Sequence, residues 1–341
     1  MGAYLARRTF IAVFTVLAIS LLSFIVIQIP EGDYIDWFMD RTAGSGCDCG
    51  GIPMDSTPEE IEALRDEMGL NDPILVQYWN WLTPIILKAD FGYGYFAGER
   101  HSIKQIMIDT VPATILLATF TITLTWTFAI PIGIYSAMRQ NSTGDYIFTL
   151  LGFTGLAVPD FLLGLVLMYL FFSWFDHSVG GLFSGDYQDA PWSVAKVQDM
   201  LRHLIIPGIV LGTSGAAGLI RIMRNNLLDE MQKPYVSTAC AKGMRNWRAI
   251  AKYPVRLAIN PFISSIGSML PTLMGGSIIV SIVLSLPTLG PIMLKAIQTE
   301  DRYVAGSIIL MLGTLTVVGV LLSDLLLMVI DPRIRLTGSR D

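Results

Sequence analysis

Residues 303–330 read YVAGSIILMLGTLTVVGVLLSDLLLMVI, and Asp324 is the one charged side chain in the run. Wound as an α-helix, a stretch of this length reaches about 42 Å, well beyond the roughly 30 Å hydrocarbon core of a bilayer. That core holds no water, so each backbone N–H and C=O must be satisfied inside the segment. A helix does this and an isolated strand does not. The run therefore reads as a membrane-spanning helix.

Working outward, the pattern recurs. Phe10–Pro30 and Val111–Met138 carry no charge, Tyr146–Phe175 carries only Asp160, and Leu204–Ile220 is a shorter charge-free window. Leu257–Leu294 is charge-free but too long for one helix, and Pro287 and Pro291 suggest that it leaves the membrane near Leu286. The reading is an all-α membrane protein of six transmembrane helices with an external lobe between helices 1 and 2. Composition agrees: of 341 residues 52% are hydrophobic and 15% charged, against about 25% charged in an ordinary soluble domain. Mean hydropathy is +0.56. These values exclude a soluble enzyme, a disordered chain and a nucleic-acid binder with a basic face.

The first window follows Arg7 and Arg8, the leading charges of a secretory signal. Its apolar stretch exceeds the 7–15 residues of a signal core and no A-x-A-like site follows, so it reads as an anchor.

Six crossings from an inside N-terminus sort the charges. Fourteen of the 23 basic residues fall inside and 21 of the 28 acidic residues outside, the bias of the positive-inside rule. The formal net charge of −5 thus hides a basic inner face and an acidic outer one. The expected organisation is 1–30 as N-terminal segment and first span, 31–105 as external lobe, 106–331 as membrane core and 332–341 as an inner tail. A basic loop, 232–256, lies within that core. In the lobe, Thr57, Pro58 and Glu60 have the spacing of a capped helix start.

Cys47 and Cys49 flank Asp48 within a glycine-bounded loop on the outer side. An oxidising exterior permits a disulfide between them, and free thiols are the alternative. A metal pair is disfavoured because no histidine or third thiol lies near and tetrahedral sites want four ligands. No cofactor is expected.

The informative inner stretch runs Tyr235-Val236-Ser237-Thr238-Ala239-Cys240-Ala241-Lys242-Gly243-Met244-Arg245-Asn246-Trp247-Arg248. Small residues at Ser237, Ala239 and Ala241 predict a thin helix, Gly243 a break or bend, and basic residues follow. Such a helix can seat in a groove on a partner; a basic segment held by anionic lipid is the plainer alternative.

Thr238-Ala239-x-Ala241-Lys242-Gly243 resembles the cytoplasmic coupling loop of permease subunits in binding-protein-dependent ABC importers, in the dipeptide, oligopeptide and nickel branch. The likeness runs along nearly the whole chain. Val111-Pro112-Ala113-Thr114, Ile130-Pro131-Ile132-Gly133, Val158-Pro159-Asp160-Phe161-Leu162-Leu163-Gly164, Leu201-Arg202-His203, Gly275-Gly276-Ser277, Leu286-Pro287-Thr288-Leu289-Gly290 and Asp331-Pro332-Arg333 are similar to family runs in order and spacing. Two departures stand out: Ser237-Thr238-Ala239 replaces the Glu-Ala-Ala of the wider family, and Ser281-Ile282 stands where many members carry an acid.

The resemblance implies a bacterial or archaeal cytoplasmic-membrane subunit with both termini inside. Its partners would be a second homologous permease, two ATP-binding subunits and an external substrate-binding protein. The chain has no Gly-x-x-x-x-Gly-Lys-Ser/Thr loop, so ATP hydrolysis would fall to the partners. The coupling residues implied are Tyr235, Thr238, Ala239, Ala241, Lys242, Gly243, Arg245 and Arg248. Asp160, Ser277 and Ser281 are expected near the cavity. Short peptides are the first cargo, oligosaccharides or a nickel chelate the alternatives. A rival reading pairs Asp160 with Asp324 as an intramembrane aspartyl protease or proton-coupled carrier, since ionisable groups within spans are functional by default.

Overall fold

The computed structural model describes residues 2–29, 58–67, 69, 71–96, 99–175 and 180–330. They form α1 (Gly2–Gln28), α2 (Pro58–Glu67), α3 (Ile74–Lys88), the strands β1 (Tyr93–Phe96) and β2 (Glu99–Ser102), α4 (Ile103–Met138), α5 (Thr143–Ala157) and α6 (Asp160–Phe175). After a 3-10 turn at Gly185–Tyr187 come α7 (Val194–Met231), α8 (Pro234–Ala241), α9 (Asn246–Lys252), α10 (Pro254–Ala258), α11 (Asn260–Val283), α12 (Leu289–Gln298) and α13 (Arg302–Ile330). The Cys47 and Cys49 pair, Thr57 and the tail lie outside the described residues. The helix expected after Thr57 begins at Pro58.

Among the described residues, α4, α7, α13 and Ala6–Gln28 of α1 are each long and apolar enough to cross a membrane. A fifth candidate is the pair α5 and α6, bent by 102° where they meet. The bend was not anticipated, although its cause is written in the chain. Proline disfavours helix at the residue before it, and Val158, which precedes Pro159, is extended at φ −87° and ψ 125°. The remaining long window is occupied by α11, whose 24 residues make about 36 Å of helix.

The window at Leu204–Ile220 is only the middle of α7. The helix starts ten residues earlier, where the Ser193 hydroxyl accepts the Lys196 N–H at 3.2 Å. Burial and bonding of charged groups allow this. Lys196 is buried, yet its ammonium donates to the Gln188 and Ala190 carbonyls at 3.2 and 2.6 Å. It also lies 4.8 Å from the Phe183 ring centroid, a cation–π position.

The chain divides into two compact units. One comprises residues 10–113 and 288–315. Its core holds Phe24, Trp81, Ile103, Leu289, Val304 and Ile308. Phe24 meets Tyr78 edge-on at 5.4 Å and Trp81 at 5.8 Å between centroids, the geometry that aromatic quadrupoles favour. A polar string runs beside it: Arg302 donates to Gln28, Gln28 to Gln77, and Gln77 to the Asp72 carbonyl, at 2.8, 2.8 and 2.7 Å. The two-stranded hairpin, with Tyr93 opposite Ser102 and Phe96 opposite Glu99, holds the two strands found among the described residues. A side chain at Gly94 would overlap Val304, so glycine is what lets the hairpin close on α13.

The other unit comprises residues 1–9, 114–287 and 316–341. Here α5 and α4 pack on α7. At Gly133 a β-carbon would sit 2.5 Å from Cβ of Met223, so α4 and α7 touch backbone to side chain there. Ala129, Leu219, Met223, Leu227 and Phe262 are buried in one shared core. The far end of the unit is tied by Arg8 to Asp324 at 2.9 Å and by Arg256 to the Ile330 carbonyl at 3.1 Å.

Candidate functional site

The basic loop has one exposed side and one apolar, buried side. Its start is set by Pro234, at the first position of α8, where the missing N–H costs nothing. Glu230, in the last turn of α7, fixes the entry by accepting from Lys233 and from the Tyr235 hydroxyl. Ser237 and Thr238 turn their hydroxyls back on the Pro234 carbonyl at 2.8 and 2.9 Å. Their polar groups are thereby engaged within the helix, and α8 stays thin, as its small residues predicted.

Helix α8 ends in a Schellman turn. The Met244 N–H reaches the Ala239 carbonyl at 3.2 Å and the Gly243 N–H reaches the Cys240 carbonyl at 2.9 Å, the paired bonds of that motif. Gly243 occupies its left-handed position at φ +86°. L-residues avoid this region because Cβ crowds the following carbonyl. The chain then turns into α9 and α10.

Exposure divides the predicted residues. Thr238, Ala241, Lys242, Gly243, Arg245 and Arg248 are exposed, whereas Tyr235 and Ala239 are half-buried. Among the described residues Lys242, Arg245 and Arg248 form no ion pair; Arg248 lies 5.3 Å from the Trp247 ring centroid. The opposite side of the loop is buried: Val236, Ala249, Ile250 and Pro254, with Ala258 just beyond it. Ile250 and Ala258 belong to the core that also contains Ala129 of α4, Leu227 of α7 and Phe262 of α11. A push on the exposed side therefore bears on three long helices. These anchors were missed in the sequence, although the apolar Val236, Ile250 and Pro254 among charges carried the signal.

The remaining predicted residues are dispersed. Asp160 opens α6 at the bend and is half-buried. Ser281 is fully buried, and its carbonyl accepts from Leu286 at 2.7 Å. The Ser277 side chain lies outside the described residues. Asp324 is paired with Arg8, so the carboxylate that a two-aspartate site would need is already engaged by a guanidinium. Among the described residues no three His, Cys, Asp or Glu side chains gather as metal ligands do.

One pair went unforeseen. Asp145 is almost wholly buried, and its two oxygens accept from Nε and Nη2 of Arg224 at 3.1 and 3.0 Å. It also takes the Asn141 N–H at 3.0 Å while Ser142 accepts the Asp145 N–H at 3.3 Å. Ser142 caps the helix, and its Ser-x-x-Asp spacing was legible in the sequence; the Asp145 carboxylate reaches one residue further back, to Asn141.

Residues 129–336 match the family described as binding-protein-dependent transport system inner membrane component, and residues 1–118 its N-terminal membrane-component family. An oligopeptide transport system permease protein of Bacillus subtilis is 33% identical, covering 98% of this chain and 99% of its own length. A nickel import system permease protein of Staphylococcus aureus is 27% identical over 93% of this chain and 87% of its own. A peptidoglycan transport system permease protein of Agrobacterium fabrum is 29% identical, with 98% of both chains covered.

Proposed function

The chain belongs to the family of binding-protein-dependent transport system inner membrane components, and on that premise we propose that it forms half of the path of an ATP-driven importer. Two ATP-binding subunits press on the loop 232–256 from the cytoplasm, a second homologous permease completes the path, and an external binding protein delivers cargo. Catalysis belongs to the partners, and both termini lie in the cytoplasm.

One observation carries the mechanism. The exposed side of the loop presents Thr238, Lys242, Arg245 and Arg248, while its buried side shares a core with α4, α7 and α11. Protein cores are close-packed and transmit displacement rather than absorb it. Movement of the loop thus biases the bundle between two arrangements, and the loaded binding protein biases it from the other end. The bend between α5 and α6 supports a place for Asp160 on the path, since broken helices bring backbone ends and polar groups to mid-membrane.

Short peptides are the cargo we favour, because the relative in Bacillus subtilis is named for oligopeptides. A nickel chelate is the second reading, carried by the nickel permease in Staphylococcus aureus; oligosaccharides come third.

A photo-crosslinker placed at Lys242 in the assembled transporter tests the coupling. Adducts with an ATP-binding subunit are expected, and their absence, with the crosslinker active and the complex intact, overturns the assignment. Mass spectrometry of ligand retained by the purified binding protein decides the cargo.

A further inference from the structure

The unit that carries the loop also holds a cavity of about 310 Å³ between α5 and α7. On α7 its wall presents Arg221, Arg224 and Asn225, spaced i, i+3 and i+4 so that they share one face. On α5 the facing wall includes Asp145, Phe148 and Thr149.

The charges in this cavity do not cancel. Asp145 is saturated by Arg224 and the Asn141 N–H. Arg221 is exposed and forms no ion pair among the described residues; its guanidinium lies 5.0 Å from the Phe153 ring centroid. One positive charge is left over, with the Asn141 and Asn225 amides as further donors lining the same space.

Beside it runs an apolar strip. Tyr146, Leu150 and Phe153, at i, i+4 and i+7 on α5, are 64, 67 and 51% exposed. Tyr146 and Phe153 also line the cavity, so the strip leads directly out of it. A guanidinium with no ion-pair partner among the described residues, in a pocket that opens onto an apolar helix face within a membrane protein, has the two-part chemistry that matches a phospholipid. Basic pockets between spans on the cytoplasmic side take anionic headgroups for this reason.

We propose that this cavity binds the headgroup of an anionic phospholipid, with Arg221 on the phosphate and an acyl chain along Tyr146, Leu150 and Phe153. The proposal rests on the family's membrane location and not on the cargo or on force transfer through the loop. It can fail while those stand, and the reverse.

The test uses the assembled transporter reconstituted in nanodiscs of phosphatidylcholine with or without phosphatidylglycerol, then extracted gently for native mass spectrometry. Wild type should retain phosphatidylglycerol in preference to phosphatidylcholine. Arg221→Gln should lower that retention at least about fivefold, the effect of one basic residue at an anionic surface. Arg7→Gln removes the same charge from an exposed site on α1 and should leave retention unchanged. Because Arg221 is exposed, size-exclusion and thermal unfolding profiles of Arg221→Gln should match wild type.

Four results would overturn the proposal. Equal retention in Arg221→Gln and wild type removes the site, and equal loss in Arg7→Gln makes the attraction diffuse. Displacement of the lipid by millimolar inorganic phosphate makes it a free-anion site. A crosslinker at Leu150 that captures the second permease, with no lipid retained, assigns the strip to a protein interface instead.

Discussion

Substitution of Gly243 separates the backbone geometry of the loop from its surface. Gly243 sits at φ +86°, and a β-carbon built there meets nothing within 4 Å. Steric overlap within this chain therefore contributes nothing, and the cost of Gly243→Ala is that of a left-handed L-residue, about 1–2 kcal/mol. If the turn relaxes, the bonds from Gly243 and Met244 to Cys240 and Ala239 are replaced by water at an exposed site, adding little. A penalty of that size lowers the population of the bent loop by a factor of about 5–30. The fold should survive, because Val236 and Ile250 hold the loop from its buried side. Cargo uptake and cargo-stimulated ATP hydrolysis in proteoliposomes are the assay. Gly243→Ala should lower uptake at least about fivefold, and Gly243→Val should lower it further, with thermal unfolding little changed. Gly243→Asn should retain most activity, since asparagine tolerates this region better than other side chains. A Gly243→Asn transporter as inactive as Gly243→Ala would refute the conformational argument and point to a partner that needs bare backbone there. A fully active Gly243→Ala would refute it outright.

Ile250→Ala empties part of the core shared by the loop and three helices, at about 2–5 kcal/mol; uptake per ATP hydrolysed should fall, which paired transport and hydrolysis assays read. Arg224→Gln strands the buried Asp145 carboxylate at a cost of about 3–5 kcal/mol, seen as a lower thermal midpoint of the purified complex. Adding Asp145→Asn should recover much of that loss, and a double variant no better than the single one would contradict the pairing. Gly133→Val forces α4 away from Met223 and should cost about 1–3 kcal/mol through overpacking, again read by thermal unfolding. Arg8→Gln removes one partner of a partly exposed pair, with side-chain exposures of 42 and 16%, so its midpoint should move little.

Legibility in the sequence followed the range of the interaction. Helix α13 was readable from residues 303–330 because lipid imposes one condition, backbone satisfaction, on every residue of a span. The Schellman turn at Gly243 was half-readable: glycine after small residues marks a helix end, and only the bonds to Ala239 and Cys240 identify the motif. The full length of α7 was not readable: the charge-free window Leu204–Ile220 marks only its middle, and the helix also contains Lys196 and Arg224. Their neutralising partners, the Gln188 and Ala190 carbonyls and Asp145, are set by the fold.

By itself, then, the sequence determined the helical membrane class, the clustering of basic charge on one loop and the family pattern, since each depends on composition or on neighbours within a turn or two. Tertiary structure decided which side of that loop is anchored, where the third window bends, and that Asp145 and Asp324 are engaged by arginines while Arg221 has no ion-pair partner among the described residues. Those outcomes join residues 79 apart in the case of Asp145 and Arg224, and far more for Arg8 and Asp324. Such contacts exist only once packing has brought the helices together.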